Sequence, residues 1–137
     1  MGGPNTNTTI ATNMKTVINT KNAPAPIGPY SQAIVAGGFI FVSGQIPSDP
    51  ATGEVISSGI KDETRQVMEN IKAILTNAGL DFRHIVKTSI FLTDMKNFAQ
   101  VNEVYGTYFT SEFPARETVQ VAGLPKNVNV EISVIAF

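Results

Sequence analysis

The clearest hydrophobic pattern in the chain runs from residue 60 to residue 78. Apolar side chains recur there at the i, i+3, i+4, i+7 spacing of one helical face: Ile60, Val67, Met68, Ile71, Ile74, Leu75 and Ala78. Gly79 follows at the position where a left-handed helix C-cap is favoured. The pattern therefore predicts an amphipathic helix that ends just before Gly79.

A strand and a second helix are predicted after it. Residues 84–92 are rich in β-branched and apolar side chains, which favours a strand. Asp94 is then the expected N-cap of a helix. The apolar stripe of that helix consists of Phe98, Val101, Val104, Tyr105, Tyr108 and Phe109. We interpret these aromatic side chains as part of the core.

Shorter apolar segments predict the remaining strands, at residues 15–19, 31–35, 39–46, 118–121 and 128–137. The Gly37-Gly38 turn predicts that the strands at 31–35 and 39–46 form a hairpin. The prolines in 22–30 predict a fixed, extended loop. The order is β-β-β-α-β-α-β-β, a single α+β domain over residues 15–137. Residues 1–14, rich in Asn, Thr and Gly, are predicted to be a flexible N-terminal tail.

One face of the predicted sheet lacks a cover. Two helices can cover a single face, yet the last strand carries Val130, Ile132 and Val134 on one side and Ile135 and Phe137 on the other. The chain has no second domain to bury that side. We therefore expect a homo-oligomer in which identical subunits cover it.

Composition narrows the chemistry that such a domain can support. The 137 residues include only 15% charged side chains, and the net charge of −1 provides no general attraction to nucleic acid or anionic membranes. Without cysteine there is no disulfide, thiolate nucleophile or cysteine zinc site, and His84 is the only histidine. We interpret His84 as structural. Catalysis must then depend on Arg, Glu, Asp, Tyr, Ser, Thr, Asn or backbone groups.

Two features predict a cytoplasmic protein that does not enter a membrane. The sequence has no run of about 18 apolar residues, the length that a membrane-spanning helix needs. Its first twenty residues lack both an apolar signal core and arginine.

Two segments differ from ordinary scaffold. The first combines the proline-rich loop with the end of a strand, and places Tyr30, Ser43 and Gly44 close together. The second holds the last two strands. If these form a hairpin that pairs Val121 with Val130, Arg116 and Thr118 share the helix-free face with Glu131 and Ser133. This register predicts an anion site built on Arg116 and Glu131.

Each of these residues also has a purely structural interpretation. Arg116 can be a surface ion-pair partner, which Glu131 would neutralise. Tyr30 can be a packed aromatic with a solvated hydroxyl, and Ser43 can be selected for its size. Spacing alone leaves both interpretations open.

The chain also resembles a known family, the RidA family, also called the YjgF or endoribonuclease L-PSP family. The resemblance extends from about residue 15 to the C-terminus. It is carried by residues 22–32 (NAPAPIGPYSQ), 42–47 (VSGQIP), 52–54, 66–72, 78–80, 86–88, 98–102, 113–116 (FPAR) and 130–132 (VEI).

The resemblance implies a chorismate-mutase-like α+β fold with two helices on one face of a mixed sheet. It also implies a homotrimer around a central β-barrel, with ligand pockets between subunits. Relatives of the RidA type hydrolyse 2-imino or enamine acids, such as 2-iminobutanoate and 2-iminopropanoate, to 2-keto acids and ammonia.

Site roles follow from the resemblance by motif position. Arg116 would bind the substrate carboxylate, and Glu131 would hold or deprotonate the attacking water. Tyr30 would be the third catalytic residue, and the remaining substrate-binding residues would be Ser43, Gly44, Asn102 and Thr118. Many relatives carry cysteine where Thr118 stands, so a thiol has no part in the mechanism here. The reaction requires neither a cofactor nor a metal.

Two other functions remain as alternatives. Relatives are also named ribonucleases or translation inhibitors, although RNA cleavage usually uses a basic groove with paired histidines or a metal. A non-catalytic trimer that binds small carboxylates or protein clients is the third class. Release of ammonia from freshly generated 2-iminobutanoate distinguishes the three.

Overall fold

The computed structural model describes residues 14–137, so the predicted tail lies outside the described residues except for Met14. The strands are β1 (Thr16–Ile18), β2 (Ala33–Ala36), β3 (Phe39–Gln45), β4 (Ile85–Leu92), β5 (Ala115–Gln120) and β6 (Val130–Ala136). The helices are α1 (Ile60–Asn77) and α2 (Phe98–Gly106). Among these residues no helix combines the length and the apolar content needed to cross a membrane.

The predicted α+β architecture and element order are confirmed. The six strands form one mixed sheet in the order β1-β2-β3-β6-β4-β5, and α1 and α2 pack on one face of it. The core lies between helices and sheet, where Met68, Ile71 and Ile74 of α1 and Ile90 and Ile132 of the sheet are fully buried.

Helix α1 follows its hydrophobic pattern closely. It ends at Asn77, and Gly79 adopts φ 78°, the left-handed conformation that glycine tolerates best. Contrary to the prediction, Asp94 is not the N-cap of α2. Its side chain accepts a hydrogen bond from the Lys96 amide and starts a short 3-10 turn, Met95–Asn97, that leads into α2. Because α2 ends at Gly106, Tyr108 lies beyond the helix while still packing on the core.

The predicted pairing of the last two strands is wrong. Strand β5 pairs only with β4, in parallel, and β6 inserts between β3 and β4. Helix α2 connects β4 to β5, and a helical crossover joins parallel neighbours. The composition of each strand explains its position in the sheet. Strand β6 has buried apolar side chains at alternate positions, as a central strand does, whereas β5 carries the polar side chains typical of an edge strand.

The sheet face opposite the helices carries exposed apolar side chains, as the sequence predicts. Val17, Ile34, Phe41 and Ile135 form one row of paired residues across four strands of this open face. Val17 is 55% exposed and Phe41 is 44% exposed. Ile34 and Ile135, between and beside them in the row, are partly buried.

Candidate functional site

The predicted site residues fall into two groups on opposite faces of the sheet. Arg116 of β5 pairs with Thr88 of β4, and Glu131 of β6 pairs with Phe91 of the same strand. Because Thr88 and Phe91 are three residues apart, their side chains point to opposite faces. The prediction that Arg116 and Thr118 share a face with Glu131 and Ser133 is therefore wrong. Both β5 side chains face the helices.

The first group, the Glu131 pocket, is a cavity of about 310 Å³ on the open face. Its walls are Ile27, Tyr30, Ser43, Gly44, Ile46, Pro125 and Glu131. The structure thus brings together four residues that the sequence predicted for the site, Tyr30, Ser43, Gly44 and Glu131.

The Tyr30 wall of this pocket is held by the proline-rich loop. The Tyr30 amide donates to the Gly28 carbonyl at 2.8 Å, and the Ile27 amide donates to the Tyr30 hydroxyl at 3.4 Å. Gln32 holds the loop from the protein interior. Its buried amide nitrogen donates to the carbonyls of Thr20, Ala23 and Pro24 at 2.9 to 3.2 Å. These bonds make the loop a fixed wall.

The strand wall of the pocket lies where β3 is irregular. Its register against β6 shifts between Val42 and Gln45, and the Ser43 hydroxyl donates to the Ser31 carbonyl at 2.6 Å. Gly44 lies against the Glu131 side chain. A Cβ atom added to Gly44 would lie 2.8 Å from Glu131 Cδ, closer than real Cβ contacts occur. A larger residue here would force the Glu131 carboxylate out of its present position.

Burial changes the acid–base behaviour of Glu131. Desolvation raises the pKa of its carboxyl above the ordinary glutamate value, because the charged form loses contact with water. Within residues 14–137 no lysine or arginine forms an ion pair with it. A carboxyl group with a raised pKa next to a cavity is suited to accept and return a proton.

The second group, the Arg116 cluster, consists of Phe98, Asn102, Tyr105, Arg116 and Thr118. Arg116 Nη1 donates to Asn102 Oδ1 at 2.7 Å, and its guanidinium carbon lies 5.7 Å and 5.2 Å from the ring centres of Phe98 and Tyr105. Both rings are on α2. Both distances are in the range of a cation–π interaction, which favours this position of the guanidinium.

The Arg116 cluster has unused hydrogen-bonding and charge capacity. No carboxylate lies within 4 Å of Arg116 in the part of the chain that the structure describes. Thr118 Oγ1 is buried, and no hydrogen-bond partner for it lies among the described residues. A guanidinium that lacks a counter-ion, beside a buried hydroxyl that lacks a partner, is an arrangement that fits a small carboxylate ligand.

Several contributors to these two groups were not predicted as site residues. Phe98 and Tyr105 were predicted only as core side chains, and Gln32 was part of a motif without a role. The sequence signal for Gln32 is its position next to the proline-rich loop. The carbonyl groups of such a loop need hydrogen-bond donors, and a side-chain amide can supply them. His84 has the expected structural role, and its Nδ1 accepts a hydrogen bond from the Asp81 amide at 3.1 Å.

Comparison with known proteins places the chain among close relatives. The sequence profile described as Endoribonuclease L-PSP matches residues 20–137. A RutC family protein of Pyrococcus horikoshii is 57% identical over 90% of this chain and 98% of its own length. The human 2-iminobutanoate/2-iminopropanoate deaminase is 46% identical over 90% of each chain.

A solved structure shows the same fold. E. coli TdcF with bound serine superposes with a TM-score of 0.85 at 45% identity, over 88% of this chain and 97% of that one. Identity at this level over nearly the whole length of each chain establishes a common family.

Proposed function

The chain belongs to the endoribonuclease L-PSP family, which is the RidA family, and we propose that it hydrolyses 2-imino acids such as 2-iminobutanoate and 2-iminopropanoate to 2-keto acids and ammonia. Three mammalian relatives at 46 to 47% identity carry the name of this deaminase. The relative crystallised with serine supports a ligand that has the carboxylate and nitrogen of a small amino acid.

The free guanidinium of Arg116 is the observation that carries this proposal. It lies over two aromatic rings, is oriented by a hydrogen bond to Asn102, and lacks a carboxylate within 4 Å among the described residues. Two parallel N–H donors can bind both oxygens of a substrate carboxylate. Thr118 supplies a further hydroxyl beside it.

Glu131 supplies the acid–base chemistry of the proposed reaction. It accepts a proton from water as the water oxygen adds to the C=N carbon, and it delivers a proton to the nitrogen. The resulting carbinolamine carries a hydroxyl and an amino group on one carbon. Glu131 then moves the hydroxyl proton to the amino nitrogen as the C–N bond breaks, which releases ammonia and leaves the 2-keto acid.

The two groups must meet across a subunit boundary, because one chain holds them on opposite sheet faces. We propose a homotrimer in which the Arg116 cluster of one subunit completes the Glu131 pocket of its neighbour. The apolar row Val17, Ile34, Phe41 and Ile135, in which Val17 and Phe41 are exposed, supports association through the open face. The number three comes from the family resemblance.

The experiment that tests the activity uses freshly generated imine. A threonine dehydratase produces 2-iminobutanoate, and ammonia and 2-ketobutyrate are followed with and without the purified protein. We expect release above the spontaneous rate. Equal rates, with the dehydratase in excess, would contradict the proposal, and RNA incubated in parallel tests the ribonuclease alternative.

Gly44 provides a prediction about the geometry of the pocket. We expect Gly44→Ala to lower imine turnover by about tenfold to a hundredfold, because the added methyl displaces the Glu131 carboxylate by about an ångström. Gly106→Ala is the matched control, since nothing lies within 4 Å of a Cβ added there. Turnover of both variants is compared after thermal melting has verified their folding. Unchanged turnover of Gly44→Ala would show that the position of Glu131 does not matter.

A further inference from the structure

The Glu131 pocket adjoins a second cavity, of about 230 Å³. The two cavities share four wall residues, Ile27, Tyr30, Gly44 and Ile46. Lys126 lines the second cavity, whereas Glu131 lines only the first. A ligand whose reacting carbon lies at Glu131 therefore has space to extend toward Lys126.

The turn that carries Lys126 has an unusual backbone. Lys126 and Asn127 both adopt φ 56°, in the left-handed region that residues other than glycine rarely occupy. Pro125, directly before them, is a wall of the Glu131 pocket. Such backbone persists only where surrounding structure holds it, and it is common at ligand sites.

Hydrogen bonds of Asn129 hold this turn in place. Asn129 Nδ2 donates to both carboxylate oxygens of Glu63, at 3.2 and 3.0 Å, and Glu63 is only 4% exposed. The Thr93 amide donates to the Asn129 carbonyl at 3.2 Å. The turn is thus tied both to the first turn of α1 and to the end of β4, which keeps Lys126 beside the cavity.

The charge on Lys126 is not neutralised within the described chain. No carboxylate oxygen of residues 14–137 lies within 4 Å of its ammonium group. Asp49 lines the same cavity, but its Oδ1 accepts a hydrogen bond from the Ala51 amide at 2.8 Å within its own turn. Glu131 is the other acidic group nearby, in the adjoining pocket. Lys126 is the positive group of the shared space.

We propose that Lys126 binds an anionic group at the end of the ligand's side chain, so that the site accepts 2-imino acids that carry a second carboxylate. The inference rests on the proposed function. There the first carboxylate lies at Arg116, the reacting carbon at Glu131, and the side chain extends along Tyr30 and Gly44. The flexible ammonium of a lysine can pair with a carboxylate in many orientations, which suits side chains of different length.

Two stable keto acids of similar shape test this subsite. 2-Oxoglutarate carries the second carboxylate, and 5-methyl-2-oxohexanoate replaces it with a neutral isopropyl group. We expect calorimetry to show tighter binding of 2-oxoglutarate to the oligomeric protein. Lys126→Met is expected to reduce the ratio of the two affinities by about 1.5- to fivefold, the range of a solvent-exposed ion pair. Lys126→Arg should keep the preference.

Lys96→Met is the matched control, because Lys96 is an exposed lysine in another short turn and should not affect the ratio. An unchanged ratio in Lys126→Met, or no preference for 2-oxoglutarate in the unsubstituted protein, would overturn the inference. Imine hydrolysis is measured separately. A preference that depends on Lys126, in a protein that does not hydrolyse 2-iminobutanoate, would support the anion subsite and contradict only the proposed function.

Discussion

Replacement of Arg116 by alanine is expected to reduce turnover of 2-iminobutanoate to the spontaneous rate. The substrate carboxylate would lose the cationic partner that binds it in the proposed site. Removing one member of such a pair costs about 2 to 5 kcal/mol, or roughly thirtyfold to a few thousandfold in rate or affinity. Ammonia release under saturating dehydratase is the measurement.

Arg116→Lys tests whether charge alone is sufficient. We expect it to lose most of the activity, because an ammonium group lacks the two parallel donors and the planar faces that lie against Phe98 and Tyr105. Arg83→Ala is the control, since Arg83 is an exposed arginine paired with Asp81 at 2.8 Å. A folded, oligomeric Arg116→Lys variant with nearly full turnover would show that Arg116 does not bind the carboxylate bidentately.

Glu131→Gln is expected to separate catalysis from binding. Glutamine keeps the size and hydrogen bonding of the side chain but cannot accept a proton, so turnover should fall by about a hundredfold or more. Affinity for 2-ketobutyrate, measured by calorimetry, should change little. Glu103→Gln is the control, because Glu103 is exposed on α2 and paired with Lys61.

The pH dependence of turnover provides a second readout for Glu131. Proton transfer from water requires the ionised carboxylate, which is lost as pH falls through the pKa of Glu131. Since burial raises that pKa, the acidic loss of activity should occur at higher pH than for an ordinary glutamate. Glu131→Gln should abolish this limb. If Glu131→Gln retains turnover but dissociates the oligomer, Glu131 is structural.

Local patterns predicted the helices and most strand positions well. The position of α1 depends on apolar residues three or four positions apart and on Gly79 directly after the helix. Such signals come from residues close together in the sequence, so the sequence is sufficient to predict them. The end of α2 was less predictable. Tyr108 continues the apolar stripe and still packs on the core, although the helix has already ended at Gly106. Burial of a side chain does not require that its backbone be helical.

Strand pairing could not be read from alternation alone. Val119 and Val121 match the alternation of Val130 and Ile132 in a hairpin, but nothing in that match excludes a position for β6 between β3 and β4. The helix between β4 and β5 carried the missing information, because it favours parallel pairing of those strands.

The arrangement of the candidate site also depends on strand pairing that the sequence patterns did not predict. Family resemblance indicated Tyr30, Gly44, Arg116 and Glu131 individually, but the sequence provided no way to see that one chain places Arg116 and Glu131 on opposite faces. That separation is a property of long-range register. It is also the reason that the proposed active site needs two subunits.

Complementation between two inactive variants tests this shared site most directly. Arg116→Ala and Glu131→Gln chains with different affinity tags are produced together, and mixed oligomers are isolated through both tags. In a mixed cyclic trimer, roughly one third of the sites would pair an intact Arg116 with an intact Glu131 from a neighbour. We expect mixed oligomers to recover a substantial fraction of turnover. Mixed trimers as inactive as either parent would contradict it.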